Sequence, residues 1–352
     1  MAELMWRHAV RSLLSLNEAP WRWSAGVQAA VASGVPLAAF TVAGHQSLGL
    51  IAVLGAFTAL YCANLPLSDR LSALPLVGVG FVIASALGVL CAANAWLTSV
   101  CLIVVAVLAC TIAFRVDLGP PGPMQFVLVT GISGHIAAPA ELGRASMNGP
   151  LIPLLVAVGA ISAYLLVIAP LALPSVRRRE GKSAGLSAVF PFAPFDEETT
   201  VITIRVVAAV AAASLVSLPL GVNRTYWVVM VAGAVLQASH VRRLTVIRTI
   251  QRVLGTVVGV GVFALLVAVQ PSALWLVAVV ALLQLAIEVV VGRNYGLALI
   301  FITPLALLIS GAVRPDDPVV LAGERIGDTV LGAVVAMVVL WTGEWVRAQR
   351  PR

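Results

Sequence analysis

Residues 223–261 read NRTYWVVMVAGAVLQASHVRRLTVIRTIQRVLGTVVGVG. The stretch holds two apolar segments joined by a basic turn. The first opens with Arg224 and Tyr226, and the turn carries Arg242, Arg243, Arg248 and Arg252. The second segment then begins as Arg252-x-x-Gly255-Thr256-x-x-Gly259. Arg248, Arg252, Gly255, Thr256 and Gly259 recur at helical spacing, which places them on one stripe of a helix. The expectation is a pair of membrane helices in which clustered arginines feed a glycine-rich face. Such a face points to the handling of anions at a membrane.

The rest of the chain has the same character. Of its 352 residues 61% are hydrophobic and 11% charged, with a mean hydropathy of +1.04. A soluble domain of this size carries about 25% charge. Apolar runs recur at about the twenty residues that a helix needs to cross a hydrocarbon core of about 30 Å. The alternation of a membrane β-barrel is absent. The predicted fold class is therefore all-α, a polytopic transmembrane bundle. The net charge of +7 does not indicate nucleic acid, because the basic residues sit in short loops between apolar spans. Cys62, Cys91, Cys101 and Cys110 lie within apolar segments without metal spacing and read as buried thiols. His45, His135 and His240 are scattered, and no metal site is expected. No Walker lysine motif and no nucleophile–base set stands out, so neither ATP drive, a cofactor nor an enzyme is expected.

About twelve spans are predicted. Six fall near 24–43, 47–65, 71–93, 95–114, 124–139 and 149–171, and six near 200–220, 225–239, 246–268, 272–291, 295–312 and 325–346. Pro36, Pro75, Pro153 and Pro304 mark spans expected to be short or broken. The predicted domains are a cytoplasmic or interfacial segment 1–23, a first six-helix repeat 24–171, a linker 172–199, a second six-helix repeat 200–346 and a tail 347–352. No secretory leader is expected in the first segment. Trp6, Val10, Leu13 and Leu14 there share a face suited to the membrane surface. With the N-terminus inside, 18 basic residues fall in inside segments and 4 outside. This bias predicts an inner or plasma membrane protein with both termini and the linker in the cytoplasm.

The halves resemble each other. Arg70 and Arg248 are 178 positions apart, as are Arg115 and Arg293. Six spans per half predict a parallel repeat. A finer echo lies inside the second half, where Arg224-Thr-Tyr226 matches Arg293-Asn-Tyr295. Arg252-x-x-Gly-Thr256-x-x-Gly259 likewise matches Arg325-x-x-Asp-Thr329-x-x-Gly332. The matched spans lie three apart and run in opposite directions, the signature of an inverted three-helix repeat.

Arg252, tied to the glycine stripe, is predicted to face a central cavity and attract an anion. Arg248 fits that cavity or a lipid phosphate equally, and Arg242 and Arg243 fit lipid phosphate better. Asp328 can pair with Arg325 at i,i+3, either as a structural ion pair or as a proton or substrate site. Glu288 is an intramembrane carboxylate, a candidate proton carrier or the partner of Arg293. Thr303-Pro304 is expected to interrupt its span, and Gln125 and Thr130 to hold the related place in the first half.

The run Tyr226-Trp227 … Gln237 … Arg243 … Gln251-Arg252-x-Leu254-Gly255-Thr256-x-x-Gly259 resembles the FUSC family. So does Arg293-x-Tyr295 … Thr303-Pro304 … Arg325-x-x-Asp328-Thr329-x-x-Gly332. This is the fusaric acid resistance or aromatic acid exporter family, and the resemblance covers residues 200–346. It implies export of aromatic or other weak organic acids, and a distant similarity to the aluminium-activated malate transporters of plants, which are anion channels. Arg252, Arg248, Thr256, Gln237, Arg70, Tyr226, Tyr295 and Thr303 are the candidate substrate-binding or pore-lining residues. Asp328, Arg325, Glu288 and Arg293 are candidates for charge or proton coupling. The expected partners are small organic anions and membrane lipid, in a monomeric pseudo-dimer or a homo-oligomer. The alternatives are a passive anion channel and a non-transporting scaffold that binds anionic lipid or partner proteins.

Overall fold

A computed structural model describes residues 18–349 apart from 117, 140–146, 181–182, 192–193, 221, 238, 240, 271 and 312–316. The surface face of Trp6, Val10, Leu13 and Leu14, and the positions of Arg144, Lys182, His240 and Arg314, lie outside the described residues.

The described residues are helical throughout, with no strand among them. The first half contains α1 (Trp23–Val42), α2 (Gln46–Ala56), α3 (Leu67–Cys91), α4 (Ala95–Arg115), α5 (Met124–Ala137) and α6 (Leu151–Ile168). Two short helices, α7 (Pro174–Glu180) and α8 (Leu186–Val189), cross the linker. The second half contains α9 (Glu197–Ser217), α10 (Val222–Leu236), α11 (Arg242–Val269), α12 (Ala273–Val290), α13 (Tyr295–Ser310) and α14 (Pro318–Ala348). Eight of these are long and apolar enough to cross a membrane: α1, α3, α4, α6, α9, α11, α12 and α14. The four shorter apolar helices are α2, α5, α10 and α13, the second and fifth of each half.

The short helices are the interior of the bundle. Every residue from Gly49 to Cys62 is buried, and so is every residue from Thr225 to Leu236. A helix buried all round needs no amphipathic pattern, which is why these segments read as uniformly apolar. The long helices wrap them and turn one apolar stripe outward, as Val27, Val31 and Val35 do along α1. Lipid tails are as apolar as leucine, so close packing rather than burial from water joins the helices.

Both halves follow one contact scheme. In the first, α2 packs on α1 and α6, and α3 packs on α5 and α6. In the second, α10 packs on α9 and α14, and α11 packs on α13 and α14. The halves meet by exchange: α1 lies along α12 while α9 lies along α4, and α5 meets α10 while α2 meets α13. This is the pattern expected of a two-fold pseudo-symmetric bundle.

The prolines do not break the helices as expected. Pro36, Pro75 and Pro304 lie inside continuous helices, and Pro153 lies near the start of α6. The case of Pro304 has a physical reason. It cannot donate to the carbonyl four residues back, that of Ile300. That oxygen faces Gly259 of α11, where an added Cβ would sit 3.1 Å away. The neighbouring backbone thus covers the group that a proline would otherwise leave bare. In the matching motif Gly332 of α14 packs on α10, where an added Cβ would sit 2.7 Å from the Val228 oxygen. Side-chain caps set helix starts: Asn94 accepts from Trp96 and Leu97, and Asn294 accepts from Leu297.

The linker docks on the first half. Glu180 accepts from the backbone N–H of Leu67 at the start of α3, at 2.6 Å. Asp69 accepts from the Ser183 hydroxyl and the Ala184 N–H, both at 2.8 Å.

Candidate functional site

The four short helices surround a cavity of about 620 Å³ between the halves. Leu54 of α2, Phe57 and Leu60 of the 3-10 turn that follows it, and Leu128 and Ile132 of α5 form its wall on one side. Trp227 and Met230 of α10 and Ile302, Leu305 and Ile309 of α13 face them. Along α13 the lining runs from Tyr295 to Ile309, about 21 Å of helix at about 1.5 Å per residue. The mouth is built by Arg22, Glu288, the Gly119–Pro123 turn and Gln237. These residues lie at the bundle end where α1, α5, α11 and α13 begin. Tyr61 donates to the Gly122 carbonyl at 2.7 Å, and Gln237 accepts from the Met124 N–H at 3.3 Å. The turn is thereby tied to both halves.

Polar groups on this apolar wall are few. Arg252 is 2% exposed and borders the cavity. Its Nη1 donates to the Tyr295 hydroxyl at 2.8 Å, and its guanidinium lies 5.2 Å from the centroid of the Trp227 ring. Its Nε and Nη2 have no hydrogen-bond partner among the described residues. Arg248, one turn earlier, also lines the cavity and lies 5.3 Å from the Tyr295 ring centroid. Gln284 and Gln125 line it as well, each with a buried Oε1 that has no hydrogen-bond partner among the described residues. Such groups mark a place for an anion or for ordered water, because burial without a partner is costly.

The inverted motif is visible in the geometry. Arg325 lies 3.5 Å from the same Trp227 centroid and donates to Ser310 at 3.3 Å. Tyr226 and Asp328 are its electrostatic neighbours, and so is Arg252. Each half of the motif therefore sets an arginine against a tyrosine near the start of a short helix. Trp227 stands at their meeting point and donates from Nε1 to Thr329 at 3.2 Å.

Of the residues predicted to line a pore, Arg252, Arg248, Gln237 and Tyr295 border the cavity. Tyr226 is buried just behind Trp227 and does not line it. Thr256 and Thr303 are buried outside the lining, with Thr303 in the seam of α11 and α13. Arg70 is a structural brace rather than a lining residue. It is 2% exposed and donates to Gln28 and to the carbonyls of Ala59 and Tyr61, where α2 has run out of helical partners. Glu288 borders the cavity, but its partner is Arg22 at 3.3 Å. Arg293 falls beyond the end of α12 and turns to the N-terminal segment. There it donates to the Ala19 carbonyl at 2.7 Å and lies over Trp21. Asp328 and Arg325 lie outside the lining. Thr130 bonds its own helix at Phe126. Arg22, Gln284 and the Gly119–Pro123 turn, and Trp227, read in the sequence only as part of a motif, border the cavity without having been predicted as site residues. Among the described residues no cluster of His, Cys, Asp and Glu could hold a metal ion.

These features define a class: a multi-pass helical membrane protein with an arginine-bearing cavity between two similar halves. Residues 207–339, within the second half, match the family model described as fusaric acid resistance protein-like. The uncharacterized membrane protein YvaC of Bacillus subtilis (strain 168) is 30% identical over 129 residues, 37% of this chain. The matched stretch is 20% of that relative's length. No solved structure matches.

Proposed function

We propose that this protein carries small organic anions, aromatic or other weak carboxylic acids foremost, across a cell membrane through the central cavity. The observation that carries this reading is Arg252, buried at the cavity wall with two guanidinium nitrogens that have no hydrogen-bond partner among the described residues. A guanidinium offers a carboxylate two parallel hydrogen bonds. The Trp227 ring beside it offers an aromatic substrate a flat apolar face. Leaving such a charge at a membrane centre costs about 2.5–3.5 kcal/mol on insertion scales, which an incoming anion would offset. A scaffold that binds only headgroups would turn its arginines outward, whereas Arg248 and Arg252 point to the cavity.

The proposed topology places both termini and the linker in the cytoplasm, from the 18-to-4 bias of basic residues. The mouth at Arg22 then opens to the cytoplasm, as export requires. Glu288 is the carboxylate at that mouth and is the proposed proton-coupling group. The test is flux of radiolabelled aromatic and dicarboxylic acids in proteoliposomes, with Arg252→Lys and Arg252→Ala beside wild type. Flux should fall from wild type to lysine to alanine, by about tenfold or more at each step for a lost charge-assisted bond. Equal flux in all three properly folded proteins would remove Arg252 from the substrate site.

A further inference from the structure

A second cavity lies on the outside of the bundle, independent of the central one. It is a valley of about 500 Å³ between α11 and α14, floored by Thr249, Val253, Ala333 and Met337 and flanked by Val334 and Trp341. Its lining is almost wholly apolar. Thr249, its polar member on α11, already donates to the Thr245 carbonyl at 2.9 Å. Val334, Val338 and Trp341 are each more than half exposed, so the valley faces outward.

Its length and its two ends differ in an informative way. On α14 the lining runs from Val330 to Thr342, about 18 Å at about 1.5 Å per residue. That is close to one leaflet of a hydrocarbon core of about 30 Å. The inner end is closed by valine and alanine. The outer end is basic: Arg242 lies 4.3 Å from the Trp341 ring centroid, and Arg243 beside it is exposed. Trp341 lies about two turns before the end of α14, a place suited to an amphipathic ring at a membrane interface. An apolar slot one leaflet deep, with an aromatic ring and a guanidinium group at its rim and a second, exposed arginine next to it in the chain, has the chemistry of one molecule.

We propose that this valley is a binding site for an anionic phospholipid. One acyl chain lies between α11 and α14, and the phosphate is held by Arg242 and Arg243. The bound lipid would then contact Thr249, one turn before the Arg252 helix turn, without entering the central cavity. A neutral phospholipid fits the slot but not its basic rim. A second copy of this chain could cover the valleys but would bring its own arginines to the same rim.

The test is native mass spectrometry of the full chain released from bilayers of equimolar phosphatidylglycerol and phosphatidylcholine with identical acyl chains. Wild type should retain phosphatidylglycerol in preference. The double variant Arg242→Gln with Arg243→Gln should lose that preference by about thirtyfold, the loss expected for two basic residues near an anionic surface. Val334→Trp, on an exposed position, should fill the slot and reduce retention of both lipids. Val338→Trp repeats that test if the first variant is not monodisperse. The linker variant Arg177→Gln with Arg178→Gln should behave as wild type. Equal retention of the two lipids by wild type, or unchanged retention in the slot and rim variants, would overturn the proposal. So would a dimer that Val334→Trp dissociates, since the valley would then belong to a second copy.

Discussion

Arg252 and Tyr295 lie 43 positions apart, and the Arg252 Nη1 donates to the Tyr295 hydroxyl at 2.8 Å. The bond crosses from α11 to the first residue of α13 and fixes one side of the guanidinium fork. The other side, Nε and Nη2, has no hydrogen-bond partner among the described residues and lies beside the cavity. Tyr295 thus orients the group proposed to receive the anion, and Arg248 lies over the same ring.

Tyr295→Phe should therefore weaken apparent affinity more than maximal flux. The ring and its contact with Arg248 remain, and only the acceptor is lost. A hydrogen bond to a charged group contributes about 1.5–3 kcal/mol, so half-saturation should shift by about tenfold or more. The concentration dependence of flux in proteoliposomes measures this. An unchanged half-saturation would show that the tyrosine does not position the arginine.

Much of the fold was legible because a bilayer imposes length. The eight long helices announce themselves as apolar runs, and Arg252 stands out as a charge on a glycine stripe. The cavity was less legible because two halves build it. Arg22 meets Glu288 from 266 positions away, so nearness in sequence pointed to Arg293 instead. Trp227 looks like any member of the apolar run from Tyr226 to Leu236, and only the approach of α11 and α14 gives its ring two arginines. Arg70 does not share the surroundings of its counterpart Arg248, because an arginine at the matching place in a repeat need not keep them. In the first half, Gln28 and the carbonyls of Ala59 and Tyr61, just beyond α2, accept from it.

The seam of α11 and α13 gives a prediction about packing alone. A Cβ at Gly259 would lie 2.7 Å from Thr303 Cβ and 3.0 Å from the Leu299 oxygen, so backbone must move. Gly259→Ala should destabilise the protein by about 1–3 kcal/mol, the usual cost of overpacking. Gly261, two residues on, has nothing within 4 Å of such a Cβ. Gly261→Ala should be neutral or stabilising by up to about 1 kcal/mol through helix propensity. Thermal unfolding of the two variants in detergent compares them directly, and equal melting temperatures would contradict the packing account.

Topology can be read by labelling. Ser175 in α7 and Ser272 before α12 are both exposed. On a background lacking the four native cysteines, Ser175→Cys should react only with permeant reagent in intact cells. Ser272→Cys should also react with impermeant reagent. The reverse result would invert the proposed orientation and turn the cavity mouth to the outside.

The last prediction concerns the pair at the mouth. Arg22 precedes α1 and Glu288 ends α12, so their contact at 3.3 Å ties the two halves where the cavity opens. An arriving carboxylate meets Arg22 only in competition with Glu288. Protonating Glu288, or replacing it by glutamine, removes the competitor and frees the arginine. A carrier that couples to protons through this carboxylate should lose its response to a pH gradient in Glu288→Gln while keeping flux at a single pH. Arg22→Ala should behave differently, because it strands a carboxylate. Breaking a buried pair costs about 3–5 kcal/mol, and less here because Arg22 is 17% exposed. Adding Glu288→Gln to Arg22→Ala should restore part of that stability, since no unpaired charge remains. Flux with and without a gradient, together with melting temperatures of the two singles and the double, separates these effects. Glu288→Gln with an undiminished gradient response would place proton coupling elsewhere in the protein and leave the pair a structural tie.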